Sequence, residues 1–295
     1  MIEPFQAPFM ARALAELALL ALICGPVSVF VFLRRLSFVS DALTHTVFPG
    51  VVIGFVAGGI EGLVVGALVA AIVTAVVLTL LTRGGSLSDD ASTAVVLTAM
   101  FSIGVVLVSR RSSYTSDLTA FLFGRILTVT TRQLIETAVL AAVILGLLLI
   151  GSRAFLFRTF DPAGAAAAGY RIAWLDLWLN VIVALVVVAA VRAVGTILVV
   201  ALLVVPAAAA RMVTARLPVM ALLGTGLILA AGYGGLLLSW TASIDYGIAL
   251  TSASAVVLLL VAAYLVLLPV GLIRQRRLGR AATGPAKGSP HELVG

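Results

Sequence analysis

Nine long apolar runs alternate with short polar gaps along this chain: 13–33, 42–58, 62–82, 93–109, 134–151, 176–192, 195–212, 219–238 and 246–268. Each approaches the roughly 20 residues that a helix needs to cross a bilayer. Expected is an all-α, polytopic membrane protein with about nine transmembrane helices. Eight or ten crossings result if one run is broken or re-entrant.

The polar gaps set the boundaries. Arg34-Arg35 follow the first run, and Arg83 through Asp90 separate the third from the fourth. The longest gaps are 110–132 and 153–175. After Arg274 the chain turns basic and then rich in Gly, Pro and Ala. The expected organisation is a membrane domain over 1–273 and a basic, disordered tail over 274–295.

Composition agrees with this pattern. Of the 295 residues, 62% are hydrophobic and 11% charged, and the mean hydropathy is +1.24. Soluble domains carry about 25% charged residues, so a soluble enzyme and a disordered chain are both excluded. The net charge of +7 would suggest nucleic acid in a soluble protein, but here it comes from arginines at the ends of apolar runs. With the tail inside, 13 of the 19 basic residues fall in cytoplasmic segments. That predicts a cytoplasmic C-terminus and an N-terminus on the other side.

Cys24 is the single cysteine, so no disulfide framework is expected. Ile23 before it argues against a lipoprotein. Glu3 beside a lone Arg12, the length of the run and the lack of an A-x-A site argue against a cleavable signal. No phosphate-binding G-x-x-x-x-G-K-[ST] sequence occurs, and the single lysine, Lys287, precedes Gly288. The chain is therefore expected not to be an enzyme, with any ATP hydrolysis supplied by a separate subunit.

Ionisable groups within a span are costly and mark function. The second run begins Asp41-Ala42-Leu43-Thr44-His45-Thr46-Val47-Phe48-Pro49-Gly50. Asp41 and His45 are four apart, hence on one helix face, and a carboxylate beside an imidazole is a divalent-metal donor set. Pro49 has no N–H for the carbonyl of His45, so with Gly50 it predicts a helix break beside the pair. Broken helices at membrane depth line transport sites. The alternative is that Asp41 caps the second helix and His45 bonds to a neighbour. His45 is the only histidine outside the tail, so one chain offers an incomplete site, whereas two copies about a two-fold axis supply two Asp and two His. Glu61 and Asp245 are expected in solvated turns, Glu136 at a helix N-terminus, and Arg192 snorkelling from a helix end.

The stretch from Leu33 to Gly50 resembles the "LRR…DALxHxxxPG" segment of the membrane subunits of manganese/zinc/iron ABC importers. Asp117-Leu118 with Leu122-Phe123-Gly124 is similar to their "DL…LFG" region. Phe160-Asp161, Ala165 to Ala168 and Gly169 are similar to their "FD…A…G" loop. Gly195 to Val199 through Pro206 to Arg211 is similar to their "VGxxLLVxxLLxxPAAxAR" run. The four stretches keep the family's order over about residues 30–245.

The resemblance implies a permease that forms a homodimer with the pathway between subunits. It implies two cytoplasmic ATP-binding subunits and an extracytoplasmic metal-binding protein as partners, with the metal as cargo and no permanently bound cofactor. It places Asp41 and His45 on the translocation path. It places Asp161, Gly169, Pro206, Arg211 and Arg216 where the ATPases couple, although both arginines equally suit ordinary cytoplasmic anchors. Two positions depart from the family pattern: Ser40, where Gly is common before the Asp, and Arg125, where an acidic residue is common after "LFG". The second weakens any metal-attracting role for that outer loop. An Asp/His set serves manganese, zinc and ferrous iron alike. The competing readings are a permease for cobalamin, haem or iron–siderophore, a proton-driven secondary metal transporter, and a membrane scaffold.

Overall fold

The computed structural model describes residues 3–83, 88–109, 124–248 and 250–282. Those residues form nine α-helices: α1 (Pro8–Leu33), α2 (Ser37–Thr46), α3 (Phe48–Arg83), α4 (Asp89–Ser109), α5 (Thr131–Phe160), α6 (Pro162–Ala167), α7 (Ile172–Val213), α8 (Leu217–Asp245) and α9 (Ser252–Ala282). Short 3-10 turns precede α1 and α5, and no strand occurs among the described residues. Asp117, Leu118, Leu122, Phe123 and residues 283–295 lie outside the described set. The helix α9 continues to Ala282, into the stretch that composition assigned to the tail.

Eight stretches among the described residues are long and apolar enough to cross a membrane, including Ser37–Gly59, Glu61–Thr82 and the 42-residue Ile172–Val213. The difference from the expected nine lies in that last stretch, which the sequence pattern divides into 176–192 and 195–212. At 1.5 Å per residue it would measure about 63 Å, roughly twice the hydrocarbon thickness. It is broken at Gly195, whose φ of 76° and ψ of 166° suit glycine alone. Contacts show that the chain reverses there. Asp176 pairs with Arg34 and Arg158 at one end of the bundle. Arg192 reaches Glu136, in the first turns of α5, at the other end. Ala207 and Ala210 then pack with Val29 and Met220, back near the Arg34 end. The stretch therefore supplies two antiparallel legs.

α7 lies at the centre. It packs against α1, α2, α3, α5, α8 and α9, and Ile182, Val183, Val186, Val187, Ala190 and Val194 are wholly buried. A helix apolar all round suits that position. Between apolar helices in lipid, association depends on close fit and not on the hydrophobic effect, so small residues mark the contacts. Gly54 and Gly62 face each other so closely that a Cβ on either would strike the other's carbonyl oxygen, and Gly50 and Gly66 repeat the arrangement one turn away. This makes a tight hairpin of the two halves of α3, reversed at Gly59 (φ 62°). Gly50 therefore serves helix packing, a role the sequence reading did not give it.

Candidate metal-translocation site

α2 begins at Ser37, with Leu36 as its N-cap and no side-chain cap bond. Asp41 consequently sits in the second turn, which removes the reading of Asp41 as a cap. α2 ends at Thr46 and α3 starts at Phe48, but Val47 between them keeps helical angles (φ −70°, ψ −25°), its N–H donating to Leu43 O at 3.3 Å and its carbonyl accepting from Val51 N–H at 3.1 Å, so the interruption is a local irregularity within one span. It precedes Pro49 by two residues, and Pro49 occupies the first turn of α3. There its missing N–H costs nothing to α3 and leaves the carbonyl of His45 without its usual helical donor. Val47 stands at the middle of the 23-residue stretch Ser37–Gly59.

Asp41 and His45 point the same way. The Nε2 of His45 lies 3.9 Å from Oδ1 of Asp41, and their side chains are 31% and 44% exposed respectively. That distance is too long for a hydrogen bond. Two donors at about 2.1 Å from one tetrahedral ion stand roughly 3.4 Å apart, so a small side-chain rotation brings both onto a single cation. The neighbouring hydroxyls are engaged with their own helix: Ser40 donates to Leu36 O (2.9 Å), Thr44 to Asp41 O (2.7 Å) and Thr46 to Leu43 O (3.3 Å). They are turned to the backbone of their own helix. The imidazole meets the edge of Phe101 on α4, with ring centroids 5.9 Å apart at 90°, and Phe101 leans on Phe48. Among the described residues no three His, Cys, Asp or Glu side chains gather into one cluster.

The other singled-out residues lie elsewhere. Asp161 caps α6, accepting the Gly164 N–H at 2.8 Å. Gly169 (φ 88°) closes that helix, with Gly169 N–H donating to Ala166 O and Tyr170 N–H to Ala165 O. The two residue types are thus the two caps of a six-residue helix. Pro206 is buried within α7 and packs toward Gly224, while Arg211 and Arg216 are exposed around the α7–α8 turn. Asp161 and Gly169 flank the Arg158/Asp176 end of the bundle, and the α7–α8 turn follows Ala207 and Ala210 at that same end.

Three acidic groups have more structure than the sequence reading gave them. Glu136 accepts from Arg192 at 2.8 Å and from Arg132 at 3.2 Å, and Arg132 also reaches Glu61 at 2.9 Å. Arg192 is thus paired and does not simply snorkel. Asp176 joins two arginines at the opposite end. Glu16, buried in α1, accepts the Thr137 hydroxyl at 2.8 Å. Asp176 and Glu16 were not singled out from the sequence. For Glu16 the signal was present, a lone carboxylate inside the first apolar run. Asp176 opens the sixth run, where a charge looks like ordinary punctuation.

The chain is similar in sequence to transport proteins. It is 33% identical over 257 residues to "Manganese transport system membrane protein MntC" of Halalkalibacterium halodurans, covering 87% of this chain and 85% of the relative. It is 30% identical over 276 residues to "Probable iron transport system membrane protein" of Haemophilus influenzae, covering 94% and 98%. Among solved structures, that of PsaBC from Streptococcus pneumoniae in complex with Fab matches with a TM-score of 0.78 and 29% identity, covering 90% of this chain and 93% of that one. The description of the ABC 3 transport family matches residues 6–270. With a many-helix membrane fold and nearly its whole length matched, the chain belongs to the ABC 3 transport family, as a multi-pass membrane permease.

Proposed function

We propose that this chain is the transmembrane permease of an ATP-driven importer of divalent transition metal ions, manganese, zinc or ferrous iron, working as a homodimer by alternating access in the bacterial plasma membrane. The observation that carries the proposal is the Asp41/His45 pair: two metal donors one turn apart, at a mid-span helix break, partly exposed on a face their own chain leaves open. The relatives named for manganese and iron transport support the cargo class.

In this mechanism a second copy presents its own pair across the seam and completes a four-donor shell. An extracytoplasmic binding protein delivers the ion. The pair holds it transiently, because tight binding would stall release. Two cytoplasmic ATP-binding subunits engage the end carrying α6, with Asp161 and Gly169 as its caps, and the exposed Arg211 and Arg216. Pro206 removes the N–H partner of the Leu202 carbonyl and lets the last turns of α7 flex toward that contact. The C-terminus is cytoplasmic, as the arginine distribution indicates.

Metal uptake in vesicles holding the permease, its ATPase and its binding protein tests this. Asp41→Ala and His45→Ala variants that assemble normally should each lose most uptake. Near-normal uptake in both would remove the pair from the mechanism.

A further inference from the structure

The loop helix α6 lies between the last turn of α5, which carries Arg158, and the first turns of α7, which carry Asp176. The carboxylate of Asp176 is divided between two partners. Its Oδ2 accepts from Arg158 at 3.2 Å, and its Oδ1 accepts from Arg34, on the turn that joins α1 to α2. All three side chains are largely buried, with 12% of Arg34, 21% of Arg158 and 26% of Asp176 exposed. Nη1 of Arg34 and Nε of Arg158 are buried with no further acceptor. One carboxylate thus bridges two guanidiniums that would otherwise repel each other, and the three together carry one net positive charge.

The turn held by Arg34 is closed by backbone hydrogen bonds. Leu36 N–H donates to Val31 O at 2.8 Å and Arg35 N–H to Phe32 O at 3.2 Å, the pattern of a helix closed by a left-handed residue. That residue is Arg35, with φ of 55°, where glycine is usual. α2, bearing Asp41 and His45, starts two residues later.

We propose that Asp176 is a positioning residue that clamps the α5–α6–α7 corner to the root of α2, so that displacement of α6 by the ATP-binding subunits reaches the Asp41/His45 helix. The proposal rests on the transport function set out above. A link is needed because α6 and the pair are on separate elements. The clamp acts at the root of the ten-residue α2, one turn before Asp41, and the motion passes on to α3 through Val47, whose N–H donates to Leu43 O at 3.3 Å.

The test uses the assembled importer in proteoliposomes, with manganese as the probe, measuring metal uptake and ATP hydrolysis in the same vesicles. Asp176→Asn keeps the size of the side chain and removes the charge that holds both arginines. Metal transported per ATP should fall by roughly fivefold or more, with hydrolysis persisting. Asp176→Glu should recover most of the ratio. A merely structural role would lower the amount of assembled complex and leave the ratio of what assembles unchanged, which would overturn the proposal. Should Asp176→Asn fail to assemble, Arg34→Lys keeps the charge but loses the fork, and the same ratio decides. Wild-type vesicles that take up none of manganese, zinc and ferrous iron, each offered in turn, would refute the transport function itself. Wild-type uptake with an unaltered ratio in the variants would refute only the clamp.

Discussion

Glu16 of α1 and Thr137 of α5 are tied by a buried hydrogen bond, Thr137 Oγ1 donating to Glu16 Oε1 at 2.8 Å. The other carboxylate oxygen is buried without a partner. Glu16→Gln keeps an acceptor for Thr137 without burying a carboxyl group, and should leave thermal stability in detergent unchanged or raised. Glu16→Leu strands the hydroxyl and should cost about 1–3 kcal/mol. Equal stability of the Leu variant and the native protein would show that the bond contributes nothing.

His45→Asp replaces one metal donor with another at the same position. The variant should keep more metal uptake than His45→Ala, measured in the same vesicles. Equal loss in the two would show that a donor at position 45 is not what uptake requires.

Gly195 adopts a backbone conformation that side chains resist, and it is where the central stretch reverses. Gly195→Ala should destabilise the fold by about 1–3 kcal/mol. Gly124, packed against the Val194 backbone, should respond similarly when changed to Ala, because its φ is 71° and a Cβ there meets that main chain. Thermal unfolding of the purified permease measures both, and an unchanged midpoint would mean that the turn relaxes freely.

The α3 hairpin depends on backbone contact between Gly54 and Gly62. Gly54→Val should force the two legs apart and cost about 1–3 kcal/mol as overpacking. The damage should extend to transport, because the hairpin begins one residue beyond the break after α2. A variant with native stability would show that the legs separate without strain.

The sequence exposed the spans, since length and apolarity are local properties. It placed an interruption at Pro49 and Gly50, whereas the irregularity falls at Val47, and it gave the spacing that puts Asp41 and His45 on one face, because helical periodicity fixes that. The caps Asp161 and Gly169 were visible as residue types, though not as the ends of one short helix. The reversal near Gly195 was implied by two apolar runs too long together for one crossing. Less visible was the start of α2 at Ser37, four residues before Asp41. Its opening turn, Ser37-Phe38-Val39-Ser40, lies outside the apolar run read from the pattern, and α2 as a whole packs against α7 and α4.

Chemistry along the chain therefore determined that this protein is a many-helix membrane bundle with a carboxylate and an imidazole one helical turn apart in one span. Tertiary structure alone decided that α7 is the central helix, that Glu16 meets Thr137 across 121 positions, and that Asp176 holds Arg34 across 142. The physical reason is that lipid-soluble helices carry almost no directional code on their surfaces. Which one lies inside depends on small-residue fit and on a few buried polar partners, and those are defined only when distant segments are brought together.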